Sequence, residues 1–327
     1  MIKLVRRSAL AIALLLPVVG VAQAQGSDWP SRPITITMGF PPGAGTDVVL
    51  RTLQPLLDKA LGQRIVIDYK AGAGGNVASE VVANARPDGY SFLMGTAGTH
   101  GINAALYKKL SFDVESDFTP ISTVVDVSNV LAINPRAIDA TDVKDFIARV
   151  KAAPGKYNYA STGNGAGTHL AFAEFNARAG LDMVHVPYKG SPDAVQSVLN
   201  GDTCCIFAQV QIAMPQASAG KMRLLGVSTR QRVPAIPDVP TIDEAGLPGF
   251  ESYTWFGIFG PKGLDPAIAL KMNLAIKAAL ADPDARKKLA DLGNTPRYET
   301  LDEFRATVKR DRAKWSEVVK SVGATIE

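Results

Sequence analysis

Three times this chain leaves a short apolar run through a glycine-rich loop and enters sequence of helical character. The loops are Pro41-Pro42-Gly43-Ala44-Gly45-Thr46-Asp47, Gly72-Ala73-Gly74-Gly75-Asn76 and Ser161-Thr162-Gly163-Asn164-Gly165-Ala166-Gly167-Thr168. Each places unpaired backbone N–H groups and the positive end of a helix dipole at one spot, which holds an anion without a basic side chain. Several such junctions in one chain point to capture of a small acidic solute.

Around these loops, strand-like and helix-like runs alternate. Residues 34–38, 64–69 and 91–95 are short and β-rich, and 47–61 and 76–85 between them read as helices. This is the pattern of a parallel sheet with helices on its faces, which binds ligands at the carboxyl ends of its strands. A second unit repeats it, with strands at 130–133, 157–161, 184–187, 204–208 and 224–228. Its helices span 141–152, begin near Thr168, and open at Ser191-Pro192 to close at Gly201. After an aromatic strand at 253–259 the chain turns helical, with cap-plus-proline starts at Asp265-Pro266 and Asp282-Pro283. Thr300 and Glu303 make a capping box for the last helix, whose Phe304, Val308, Trp315, Val319 and Val322 share one face. The proline-rich stretch 234–249 reads as a loop.

Residues 1–24 read as an export leader. Lys3, Arg6 and Arg7 precede an apolar run at 9–21, and Ala22-Gln23-Ala24 offers a cleavage site. The run is too short, and too interrupted by Pro17 and Gly20, for a good membrane span. Removing the leader takes away three positive charges and no negative one, so the formal net charge falls from +4 to about +1. Nucleic-acid binding therefore finds no support. The two cysteines, Cys204 and Cys205, are adjacent in an apolar run and read as buried core thiols.

The loops admit bland readings beside the functional ones. The first lacks the Lys-Ser/Thr of a nucleotide-binding loop and the third glycine of a dinucleotide fingerprint. Thr46 or Asp47 can simply cap its helix, Asn76 can cap the next, and glycines also serve tight turns. Thr168 can be helix cap and ligand donor at once. Tyr188 and Lys189 offer a phenol and an ammonium at a strand end, and Lys189 serves equally as a surface lysine. Catalysis finds little footing. There is no G-x-S-x-G elbow and no H-E-x-x-H, and His100, His169 and His185 lack metal-ligand spacing. No cofactor or metal is expected.

At these residues the chain resembles the extracytoplasmic solute receptors of the tripartite tricarboxylate transporter type, the Bug receptors. The marks run in order from Pro33-Ile34-Thr35-Ile36 and Gly39-Phe40-Pro41-Pro42-Gly43 through Arg86-Pro87-Asp88-Gly89-Tyr90 and Asp117-Phe118-Thr119-Pro120. They continue through Thr168-His169-Leu170-Ala171, His185-Val186-Pro187-Tyr188-Lys189-Gly190 and Pro237-Asp238-Val239-Pro240-Thr241.

The resemblance implies an α/β fold of the two-lobed periplasmic binding-protein kind, type II-like, in which the chain crosses between lobes twice. Lobe one would comprise 25–129 and 252–327, and lobe two 130–251. It further implies a periplasmic, monomeric receptor, not an enzyme, that passes a small organic, amino or aromatic acid to membrane permease subunits. A receptor presenting its ligand to a sensor kinase, and a secreted enzyme on the same fold, are the alternatives. One carboxylate would be held by backbone amides and waters at Gly43, Ala44, Gly45 and Thr46 and at Ala73, Gly74 and Gly75. Phe40, Asp47 and Thr96 would stand beside them. Ser161, Thr168 and His169 would act from lobe two, with Tyr188 and Lys189 at the rim. Ala208 stands where relatives frequently carry Asp or Asn, which would favour a more apolar or aromatic acid.

Overall fold

The structure, a computed structural model, describes residues 29–321, so the leader read at 1–24 and Val322 lie outside the described residues. The chain begins with β1 (Ile34–Met38), α1 (Gly45–Leu61), β2 (Ile65–Tyr69), α2 (Asn76–Ala83) and β3 (Ser91–Thr96). β1 pairs in parallel with β2 on one side and β3 on the other, as the alternation requires. A π-helical turn, Gly98–Ile102, and the short α3 (Asn103–Leu106) lead to β4 (Phe118–Ile133), a strand of 16 residues. Only its last four residues read as a strand in the sequence.

β4 joins two sheets. Through Ser128 it pairs antiparallel with β9 (Tyr253–Pro261), which in turn pairs with β3. From Asn129 onward it pairs with β7 (Cys205–Gln209), and from Val130 with β8 (Arg223–Val227) on its other side. The second sheet continues from β7 to β5 (Asn158–Ser161) and β6 (Val184–Pro187), all three parallel. Ser228 fastens this junction: its N–H donates to the Asn129 carbonyl at 2.8 Å, and its carbonyl accepts from the Ser252 N–H at 2.7 Å. The chain thus passes between the sheets inside β4 and again just before β9.

Helices cover both faces of each sheet. In the first, α1, α8 (Pro266–Ala281) and α9 (Pro283–Asp291) bury one apolar face around Ile36, Phe92 and Met272. On the other face α2 and α10 (Leu301–Ser321) pack on Leu93, Trp255 and Phe259. β10 (Asn294–Pro296) adds to the β4 edge. In the second sheet, side-chain alternation sends Leu131, Ile133, Cys205 and Phe207 towards α4 (Val143–Lys151) and α5 (Gly167–Ala179). Val130, Ala132, Ile206 and Ala208 go the other way, under α6 (Ser191–Asn200) and α7 (Val210–Ser218). Both cysteines are buried.

The C-terminal helices start where the sequence signals place them. Asp265 accepts from the Ala267 N–H at 2.7 Å, Asp282 from the Ala285 N–H at 2.9 Å, and Thr300 with Glu303 forms the capping box. Phe304, Val308, Trp315 and Val319 of α10 are buried. Among the described residues no helix is long and apolar enough to cross a membrane. Replacing Asp282 by Ala removes the α9 cap and is expected to cost about 1 kcal/mol of unfolding free energy in urea titrations; an unchanged midpoint would show the cap to be idle.

Candidate functional site

The loops that follow β1, β5 and β6 and the end of β7 meet in one narrow cleft between the two sheets. Thr96 at the end of β3, with Thr254 and Phe256 from β9, completes its wall. Four helices begin there. Ala44, Gly45 and Thr46 bring in the start of α1; Ala166, Gly167 and Thr168 that of α5; Ser191 that of α6; Gln209 that of α7.

The starts of these helices differ from those of α4, α8, α9 and α10, although α2 and α3, which begin after Gly75 and Ile102, lack a side-chain cap as well. The N-cap positions of α1, α5 and α6 are Ala44, Ala166 and Gly190, which have no side chain able to accept a backbone N–H, and Gln209 before α7 accepts none. The helices α4, α8, α9 and α10, away from the cleft, are capped by Asp142, Asp265, Asp282 and Thr300. The sequence placed polar caps on the cleft helices as well, at Thr46 or Asp47, Asn76, Thr168 and Ser191. Each sits one to three positions inside its helix, and Asp47, Asn76, Thr168 and Ser191 are engaged elsewhere, Ser191 by donating its hydroxyl to Gln209 Oε1 at 3.3 Å. Asp47 accepts from the Gly43 N–H at 2.8 Å, from Arg51 Nε at 2.8 Å and from the Tyr69 hydroxyl, which pins the first loop to the end of β2. Thr168 Oγ1 accepts from the Thr162 N–H at 3.0 Å, and Asn76 Oδ1 from Asn103 Nδ2 at 2.6 Å. No charged side chain lines the cleft among the described residues.

Of the residues singled out in the sequence, Phe40, Ala44, Gly45, Thr46, Thr96 and Thr168 come together on this wall. Ala73, Gly74, Gly75, Tyr188 and Lys189 line an adjoining pocket that shares Phe40 and Thr162 with the first. Gly43 and Asp47, at either end of that loop's glycine turn, line neither pocket. Ala208 is 2% exposed in the core beneath α6 and α7, and its neighbour Gln209 takes the place on the wall. Gln209 was not legible as a wall residue, because a strand's last residue shows no periodic signal for which way it will face, and Thr254 and Phe256 lie in the first half of β9, which reads in the sequence only as an aromatic strand.

Ser161 and His169 lie under the third loop. The Ser161 hydroxyl meets His185 Nε2 at 2.6 Å, and the Gly165 N–H donates to His169 Nδ1 at 3.2 Å. The two imidazoles stack with centroids 3.9 Å apart. Burial pushes His169 down to about 4, and burial together with the neighbouring His169 pushes His185 down to about 3. His100, fully buried and stacked on Phe259, is held at about 3 by desolvation. These groups are neutral supports of the loops.

Glycines let the two sides of the cleft approach closely. A Cβ on Gly74 would collide with the Asn164 carbonyl oxygen across the gap. One on Gly98 would stand 3.0 Å from the Gly165 carbonyl oxygen, and one on Gly190 2.7 Å from the Pro41 ring. The contact is made of backbone against backbone and ring.

Two sheets sharing one strand, with a cleft lined by helix starts, define a solute-binding receptor of the two-lobed periplasmic binding-protein fold. The chain belongs to the tripartite tricarboxylate transporter family receptors, whose family model matches residues 49–324. It is 33% identical to protein BugT of Bordetella pertussis over 319 residues, covering 97% of each chain. A Rhodopseudomonas palustris protein solved with adipate superposes with a TM-score of 0.88 at 32% identity, covering 91% of this chain and all of that one. MatC of the same organism, with bound malate, gives 0.84 at 32% identity over 89% of this chain and all of its own. The chain is thus a receptor of Bug type and not an enzyme.

Acid should loosen this protein through its histidines. Their folded pKa values lie below the unfolded value of about 6.5, so the unfolded chain gains protons first as pH falls. Stability is fully present above that pH and is lost below it, by on the order of 1 kcal/mol per histidine per pH unit. Burial raises the Asp126 and Glu174 carboxyls and opposes the trend, so the reading is by difference. Between pH 7 and 5, urea titrations of His169→Gln should lose less stability than wild type; parallel losses would overturn the assignment. Gly74→Ala should cost the unliganded protein about 1 kcal/mol, because Gly74 has φ +63°, yet cut ligand affinity at least about tenfold by blocking the approach to Asn164. Calorimetric titration showing unchanged affinity would count against that contact.

Proposed function

We propose that this chain is a periplasmic receptor, exported by residues 1–24, that captures a small carboxylate between two lobes and delivers it to a permease of the tripartite tricarboxylate type. Lobe one is 25–129 with 252–327, and lobe two is 130–251. The change of β4 partners between Ser128 and Asn129, and the attachment of Ser252 to Ser228, support that division.

The observation that carries the reading is the meeting of four uncapped helix starts in a cleft whose described wall holds no charged side chain. Unpaired N–H groups at those ends are donors awaiting an acceptor, and their dipoles favour a negative one. A carboxylate supplies both. Its oxygens bind at the Gly45 and Thr46 amides, with the Ala73 to Gly75 loop closing from the adjoining pocket. The adipate and malate bound by the two Rhodopseudomonas relatives belong to the same chemical class. Closure of the lobes removes the ligand from water and creates the shape that a permease reads.

Thermal unfolding of residues 25–327 against mono-, di- and tricarboxylates and aromatic acids tests this. A ligand at about 100 times its Kd adds roughly 2.7 kcal/mol and raises the midpoint by several degrees. No shift with any acid, also after unfolding and refolding to strip a co-purified ligand, would overturn the proposal.

A further inference from the structure

The sulfurs of Cys204 and Cys205 form a cluster that solute binding does not use. Side chains along a strand face alternate ways, and Ile206 and Phe207 of β7 do so, one lying under α6 and α7 and the other towards α4 and α5. Cys204 breaks that pattern. It lies in the bend just before β7 begins at Cys205, and both cysteines join the core on the α4 and α5 side. Their sulfurs stand 3.5 Å apart. Both thiols meet the Asn158 carbonyl, to which Cys204 Sγ donates at 2.7 Å and Cys205 Sγ at 3.6 Å. The Asn158 side chain clips the preceding turn: its Oδ1 accepts from the Cys204 N–H and its Nδ2 donates to the Asp202 carbonyl, each at 3.0 Å.

Two free thiols this close need only lose their hydrogens to become one disulfide. Cys205 is fully buried, whereas Cys204 is 5% exposed beside the exposed Gly201-Asp202 turn, so an oxidant meets Cys204 first. The hydrogen bond with the Cys205 thiol also holds the Cys204 thiol below its ordinary value, and burial raises that of Cys205 well above it. The thiolate is the attacking species in disulfide exchange, which makes Cys204 the first nucleophile. Neighbouring Cα atoms are about 3.8 Å apart across a trans peptide, short of the roughly 4.4–6.8 Å usual for a disulfide. A bond between adjacent cysteines is therefore strained and easily reduced, which suits a switch better than a staple.

We propose that Cys204 and Cys205 are a reversible oxidation site, coupled to the cleft through β5, whose co-reactant is a small disulfide such as oxidised glutathione. The Cys204 thiolate attacks one sulfur of that disulfide and expels a thiolate, leaving a mixed disulfide. The Cys205 thiolate then attacks the Cys204 sulfur, expels the second thiolate and closes the Cys204–Cys205 bond. One disulfide is reduced and one is formed, and the two protons lost by the cysteines pass to the two thiolates released. Closure removes both S–H donors from the Asn158 carbonyl, at the start of β5. β5 ends at Ser161, and the next residue, Thr162, is part of the cleft wall. The redox state of the pair thereby sets how firmly β5 and the third glycine loop are held. Export by residues 1–24, as proposed above, would put the pair where disulfides persist.

The test treats the folded, pre-reduced receptor with oxidised glutathione, then unfolds it, alkylates it with iodoacetamide and weighs the tryptic peptide 190–221, which carries both cysteines. Untreated protein should give a doubly alkylated peptide. Treated protein should give one that is unalkylated and two hydrogens lighter than the dithiol, and dithiothreitol should restore double alkylation. Cys205→Ser should stop at a glutathione adduct on Cys204, and Cys204→Ser should stay unmodified while folded. Hydrogen exchange across 158–168 should quicken when the wild type is oxidised, and not in Cys204→Ser treated alike. A treated wild-type peptide still doubly alkylated, or one that keeps glutathione on either sulfur, would overturn the site. Unchanged exchange in the oxidised protein would overturn its link to the cleft. These readouts need no ligand and no export, so their failure leaves the receptor reading standing.

Discussion

An α-helix cannot satisfy its first backbone N–H groups from within, and where a protein leaves that deficit open shapes everything around it. Here α4, α8, α9 and α10, which start away from the cleft, have it closed by Asp142, Asp265, Asp282 and Thr300. The helices facing the cleft begin at alanine, glycine or an unengaged glutamine. The parallel pairing of β1, β2 and β3, and of β5, β6 and β7, puts the carboxyl ends of each group of strands on one edge. The helix that follows each strand then starts at that edge. Strand direction and open helix starts are therefore one device, and the proposed anion site is its product.

The two sheets are held to a common frame by β4, whose backbone is hydrogen-bonded into both. Any change in the angle between the halves has to bend the chain near Ser128 and again before β9, the two places that Ser228 ties together. Opening or closing of the cleft would then turn about a short axis. That geometry suits a receptor that must enclose a ligand and later release it.

Much of this was legible in the sequence. Short β-rich runs and the glycine loops located β1, β2, β3, β5, β6 and β7 within a residue, because in these segments hydrophobic pattern and turn chemistry agree. Most of β4 was not legible, since Pro120, Ser122, Thr123, Asp126 and Ser128 break its apolar pattern; Ser122 and Thr123 are buried and hydrogen-bonded inside the protein. α7 was missed because it follows β7 with no turn between them and carries Pro215 inside. The helix starts at the cleft were read with polar caps because propensity favours them. The protein departs from propensity where the proposed ligand would take the cap's place, so a local rule broken at a strand's carboxyl end was itself the trace of the candidate site.

The backbone contact across the cleft has a consequence for how such a receptor diversifies. Gly74 meets the Asn164 carbonyl and Gly98 meets the Gly165 carbonyl, so the surfaces that close on each other consist of main-chain atoms. Main-chain atoms are the same whatever the neighbouring side chains become. Side chains of the cleft wall, Gln209, Thr254 and Phe256 among them, can be exchanged during evolution while these main-chain contacts are kept. A lineage built this way can explore new solutes one wall residue at a time.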